Sequence, residues 1–101
     1  MSVVVIARFP VADTAAATQS LTDNAELLDE ITDDAKTLGA EHHRFVAGAD
    51  ELVVIDQWTS AESFHMFFDG NGKVAIITEQ AGVQASPTIE IFETVDAAGT
   101  F

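Results

Sequence analysis

His42 and His43 stand side by side in the stretch Glu41 to Ala47, which reads as a β-strand running on into Arg44 and Phe45. Successive strand side chains point to opposite faces, so the two imidazoles cannot close on one metal ion within a single chain. His43 shares its face with Phe45 and Ala47. It is therefore the candidate general base, or hydrogen-bond donor, for an apolar pocket, because imidazole exchanges protons near neutral pH. His65 follows Phe64 on a short helix and is a second candidate, with a place in water as the alternative. Arg8 and Arg44 are the two arginines, both on strands, and either could grip a substrate carboxylate or enolate. Salt bridging is the plainer use for them in so acidic a chain.

Trp58 is the single tryptophan, and it ends a strand just before a helix begins. It could stack on a planar aromatic ligand, or it could serve as core beneath that helix. Phe64, Phe67 and Phe68 recur at helical steps, which makes them core residues that could also line an apolar pocket. No Ser–His–Asp arrangement and no pair of catalytic carboxylates can be argued. Gly70-Asn71-Gly72 lacks the spacing and the lysine of a phosphate loop, and no zinc spacing occurs. With no cysteine there is neither a disulfide nor a thiolate metal site, so neither a metal nor a cofactor is called for.

The elements that must position these residues follow from hydrophobic spacing. Val3 to Phe9 is β-branched and aromatic-rich and predicts a strand ending at Pro10. Asp13 or Thr14 can cap a helix, and Leu21, Ala25, Leu28, Ile31, Ala35 and Leu38 form one apolar stripe that ends at Gly39. Ser20 or Thr22 could open a second helix within that span. Residues 41–47 and 51–58 form a hairpin around Gly48-Ala49-Asp50. Thr59 as N-cap, with Glu62 three positions on, predicts a capping box and a helix that stops at Asp69–Gly72. A further helix over 73–81, a last strand over 88–95 and a tail over 96–101 complete the chain.

The order strand, helix, strand, strand, helix, strand is the ferredoxin-like βαββαβ pattern. It predicts an α+β fold with an antiparallel four-stranded sheet and helices on one face, in one domain spanning residues 1–101. Val3, Val5, Ala7 and Phe9 point one way while Val4 and Ile6 point the other; Leu52 and Val54 oppose Val53 and Ile55 in the same manner. Both sheet faces therefore need cover, and a second copy of the chain would supply it, giving a homodimer.

Seventeen acidic residues against four basic ones give a formal charge of −13, spread along the chain. That charge argues against binding nucleic acid or anionic membrane surfaces. It fits either acid-coated helices or a salt-rich cytosol. No basic residue precedes the first apolar run, which is too short to span a bilayer, so the expected location is the cytoplasm.

The opening strand Val3–Phe9, the element order and the stretch Leu52-Val-Val-Ile-Asp-Gln-Trp-Thr-Ser-Ala-Glu-Ser-Phe64 resemble the dimeric α+β barrel superfamily. Within it they are similar to the antibiotic biosynthesis monooxygenase (ABM)-like domains, in which a strand ends in an aromatic and a small polar residue and a Glu open the helix. The resemblance implies a homodimer with a small-molecule site between sheet and helices. It also implies a cofactor-independent monooxygenase acting on a planar aromatic, polyketide-like substrate. Trp58, Phe64, Phe67 and Arg44 would then bind substrate, with His43 or His65 handling a proton. The haem-degrading members carry an Asn on the first strand, a Trp within the second helix and a His later on that helix; here the first strand has no Asn, the helix offers Phe67, and residues 73–81 contain no His. The polyketide-type members place an Asn four residues before the strand-ending Trp and a Tyr six after it; Val54 and Phe64 occupy those positions here. A homodimer that binds a small apolar ligand without catalysis is the alternative.

Overall fold

The computed structural model describes residues 2–101. Its elements are β1 (Val3–Pro10), α1 (Thr14–Asp23), α2 (Ala25–Leu38), β2 (Ala40–Ala47), β3 (Glu51–Trp58), α3 (Ala61–Gly70), α4 (Gly72–Gln80) and β4 (Thr88–Glu93). The strands form one antiparallel sheet in the order β2-β3-β1-β4, which is the ferredoxin-like arrangement. β1 lies at the centre of the sheet, in keeping with its long β-branched run.

Local chemistry sets the boundaries. The Asp13 carboxylate accepts from the Ala16 amide and opens α1. The break between the first two helices falls at Asn24, later than Ser20 or Thr22; Asn24 turns its side-chain amide back to donate to the Ser20 carbonyl at 2.7 Å. Gly39 ends α2 with a φ of 121°. An added Cβ there would lie 2.5 Å from Thr59 Oγ1, so glycine is required both for the left-handed turn and for the close approach.

Thr59 is not the cap of α3. Ser60 takes that role, its Oγ accepting from the Ser63 amide at 3.1 Å, because the Thr59 backbone is committed to a hydrogen bond from its N–H to the Gly39 carbonyl. Asn71 separates α3 from α4 and caps the latter. β4 ends at Glu93, two residues before the end expected for it, where its pairing with β1 stops at Val3.

Register confirms the two-faced reading of the strands. Val3, Val5, Ala7 and Phe9 lie opposite Trp58, Asp56, Val54 and Leu52 in turn, on the side that carries the helices. Val4, Ile6 and Arg8 lie opposite Gln57, Ile55 and Val53 on the side that carries none. On that open side Val46 and Phe92 add further exposed apolar surface.

The interior under the helices holds two buried clusters. One gathers Ala7, Phe9, Val11, Ala17, Leu52 and Ala81, the other Val3, Val5, Trp58, Phe64 and Phe67. Phe68 and Ile89 touch both.

Candidate functional site

A cavity of about 410 Å³ lies between the sheet and the helices, with walls drawn from both buried clusters. An empty defect of that size would cost on the order of 10 kcal/mol at ~24 cal/mol per Å³, about the whole stability of a domain. A volume of this order is instead usual for a ligand pocket, and the wall is predominantly aliphatic and aromatic. The mouth lies between α2 and β2. β2 is an edge strand whose inward-facing residues His43 and Phe45 stay exposed, and α2 buries no residue fully, so the pocket stays open to solvent on this side.

Among the polar residues of the wall, two are hydrogen-bonded to each other across the sheet. His43 on β2 is in register with Asp56 on β3, and its Nδ1 lies 2.5 Å from Asp56 Oδ1. The second carboxylate oxygen, Oδ2, accepts from Trp58 Nε1 at 3.2 Å. Asp56 is only 7% exposed, and it is the one buried charged residue among those described. The His43 ring meets the edge of Phe45 at a centroid distance of 4.7 Å, which fixes its tilt. Thus β3 carries a carboxylate two residues before its terminal Trp, and the hairpin brings an imidazole from β2 onto it.

Of the residues singled out from sequence, His43, Trp58, Phe64, Phe67 and Phe68 line this one cavity, with His42 beside them. Trp58 is 1% exposed, and its ring lies against Phe64 and Phe67 at 5.7 and 5.2 Å. It is the inner wall of the pocket rather than an open platform, and Phe45 is the aromatic available at the mouth. His65 and Arg44 are not brought in. One residue past an inward-facing Phe64, the helix has turned by about 100°, so His65 points outward with its side chain 53% exposed and Asp69 4.0 Å away. Arg44 follows His43 by one residue and so projects from the opposite face of the sheet.

Asp56 was not anticipated from sequence as a site residue. The available signal was a charged side chain at an even offset from Trp58 in an otherwise apolar strand. Its contact with His43 depends on the hairpin register, which runs unbroken from Ala47 opposite Leu52 to His42 opposite Gln57.

No protein-family model matches the chain, and no curated protein matches it. Solved structures do. A monooxygenase, ActVA-Orf6 of Streptomyces coelicolor, in complex with nanaomycin D superposes with a TM-score of 0.72 at 17% identity, covering 99% of this chain and 93% of that one. SnoaB, a cofactor-independent oxygenase from Streptomyces nogalater, gives 0.64 at 14% identity, covering 98% of each. A structure described as an antibiotic biosynthesis monooxygenase gives 0.66 at 13% identity, covering 93% of this chain and 99% of that one. The chain has the fold of the antibiotic biosynthesis monooxygenases. At these identities the likeness to ABM structures carries the architecture and no residue roles. Among the described residues no three His, Asp or Glu side chains gather as metal ligands, and no helix is long and apolar enough to cross a membrane.

Proposed function

We propose that this protein binds a planar aromatic, polyketide-like molecule in the cavity under its helices and oxygenates it without a cofactor. The observation that carries the reading is the hydrogen-bonded pair His43 and Asp56 in a largely apolar pocket of suitable size. His43 would take a proton from an acidic O–H or C–H of the substrate, and the electron-rich anion left behind would react with dioxygen. For an anthrone-type methylene the balance is CH₂ + O₂ → C=O + H₂O. The fold shared with ActVA-Orf6 and SnoaB supports the same reading.

Two copies would associate through the open sheet face, where Val4, Ile6, Val53 and Ile55 form an apolar field, and the assembly would work in the cytoplasm. A second reading, non-catalytic binding of an apolar ligand, is favoured by Val54 and Phe64 on the pocket wall. These are the positions at which the polyketide-type enzymes carry Asn and Tyr.

Titration with hydroxyquinones and anthrones, read by quenching of Trp58, tests binding. Oxygen uptake with an anthrone separates the two readings. Saturable quenching with oxygen uptake that falls in His43→Gln supports the enzyme; quenching alone supports the binder; neither leaves the pocket unused.

A further inference from the structure

Asp56 lies deep in the wall with both carboxylate oxygens occupied, Oδ1 by His43 and Oδ2 by the Trp58 indole. A buried carboxylate persists only where its charge is matched and its lone pairs are used. When ionised it accepts and cannot donate, so the proton between it and His43 belongs on Nδ1. Nε2 is then the lone-pair nitrogen of the ring, and it has no hydrogen-bond partner among the described residues. The edge contact with Phe45 limits rotation of the ring. Trp58 and His43 are thus tied to one anchor, which couples the inner wall of the cavity to the group at its mouth.

We propose that Asp56 is a positioning residue. It holds His43 as the Nδ1–H tautomer with Nε2 as proton acceptor, and it makes the pocket selective for neutral lipophilic phenols or enols over carboxylates. This inference rests on the small-molecule reading of the cavity given above. In the step, the substrate O–H bond breaks, its proton goes to Nε2 and the electron pair stays on oxygen. The products are an imidazolium, balanced by the Asp56 carboxylate, and a substrate oxyanion. A ligand carrying its own carboxylate would add a second negative charge beside Asp56 on an apolar wall where Lys36 is the only Lys or Arg side chain. The other titratable wall groups, Glu41 and His42, lie on β2 at the rim.

Two measurements decide it. Long-range ¹H–¹⁵N spectra distinguish the tautomers of the three histidines, with His43→Gln giving the assignment. At a pH where His43 is neutral it should be the Nδ1–H form in the unaltered protein. It should move to the Nε2–H form in Asp56→Asn and return in Asp56→Glu, which keeps the carboxylate. A His43 already in the Nε2–H form in the unaltered protein overturns the proposal, whether or not any variant folds.

The second measurement compares a hydroxyanthraquinone, its O-methyl ether and its carboxylated analogue. The phenol should develop its phenolate absorption on binding, at a pH where it is neutral when free. That absorption should fall at least tenfold in Asp56→Asn while the quenching Kd moves less than about threefold. The ether should quench with no such band, and the carboxylate should bind at least tenfold more weakly than the phenol. Quenching without a phenolate band, or a band unchanged in Asp56→Asn, rejects the role of Asp56 and leaves the pocket reading standing. Absence of quenching by every ligand rejects the pocket reading itself, while the tautomer spectra still decide what Asp56 does.

Discussion

The two faces of the sheet are built from alternate residues of the same strands, and both are largely apolar. Each also carries one charged cluster. On the helix side Asp56 is buried between His43 and Trp58. On the open side Arg8 donates to Glu51 at 3.0 Å and to Glu90 at 3.4 Å, with all three side chains about a third exposed or more. The Arg8 cluster looks the stronger electrostatically, with a permanent cation between two carboxylates. Its exposure inverts that ranking, since water screens the pairs and holding three long side chains costs entropy. Asp56 and Trp58 are buried and have little water to take in exchange for their partners, so each hydrogen bond there matters more. A single residue step along β1 or β3 therefore decides whether a polar group serves local chemistry or merely keeps a surface wet.

Val5 and Ile6 break the comparison most directly, because they are neighbours on opposite faces. Val5 is 0% exposed at the centre of β1, between Asp56 on β3 and Ile91 on β4. Val5→Asp should abolish cooperative folding, since an unpaired buried charge costs more than ~4–5 kcal/mol. Ile6→Asp should leave the circular dichroism and melting of a folded chain but prevent the proposed dimer, giving a monomer in sedimentation. A folded Val5→Asp would undo the assignment of faces, and an undisturbed dimer in Ile6→Asp would move the interface elsewhere.

A smaller effect is expected at the helix-side cluster. Asp56→Ala leaves the buried Trp58 N–H without its acceptor and should lower stability by about 1–3 kcal/mol in denaturant melts. Arg8→Ala on the open face should cost no more than ~1 kcal/mol, and raising the salt should shrink that difference further. Equal losses from the two substitutions would mean that burial is not what separates the clusters.

The face assignment was legible in sequence because strand side chains alternate strictly and β1 and β3 carry apolar residues at nearly every position. The cavity's aromatic wall was legible for a similar reason, since Phe64 and Phe67 are one helical turn apart. Positions that depend on one residue of offset were not. Thr59 and Ser60 are both hydroxyl residues that could cap α3, and only the backbone bond from Thr59 to Gly39 selects Ser60. His65 sits beside an inward Phe in sequence, yet helical rotation carries it outward. The Asp56–His43 contact joins two strands across a turn, and it follows from how that turn sets the pairing, which no pattern local to either strand records.

The smallest expected effect belongs to a third charged cluster, which sharpens the contrast because it joins two helices and touches neither face of the sheet. Asp34 on α2 accepts from Lys73 Nζ at 3.0 Å and from Asn71 Nδ2 at 3.1 Å, joining α2 to the start of α4. The hydrogen bond from Lys73, then that from Asn71, holds the Asp34 carboxyl below its ordinary value, and Asp34 in turn raises Lys73. A carboxyl lowered by folding binds its proton less readily in the folded chain than in the unfolded one. Its contribution is therefore present above the ordinary value of ~3.9 and is lost as pH falls through the lower folded value. For Lys73 the direction reverses: the contribution is whole below ~10.4 and is lost as pH rises through the raised folded value. Between those limits Asp34→Asn should melt slightly earlier than the unaltered protein, by an amount that salt reduces. As pH falls below ~3.9 and on through the lowered folded value the two melting curves should converge, because the Asp34 carboxyl ends neutral in both states. A gap in Tm that does not narrow as acid protonates Asp34 in the folded chain, or one that salt leaves unchanged, would show that Asp34 acts through packing or neutral hydrogen bonds rather than through its charge.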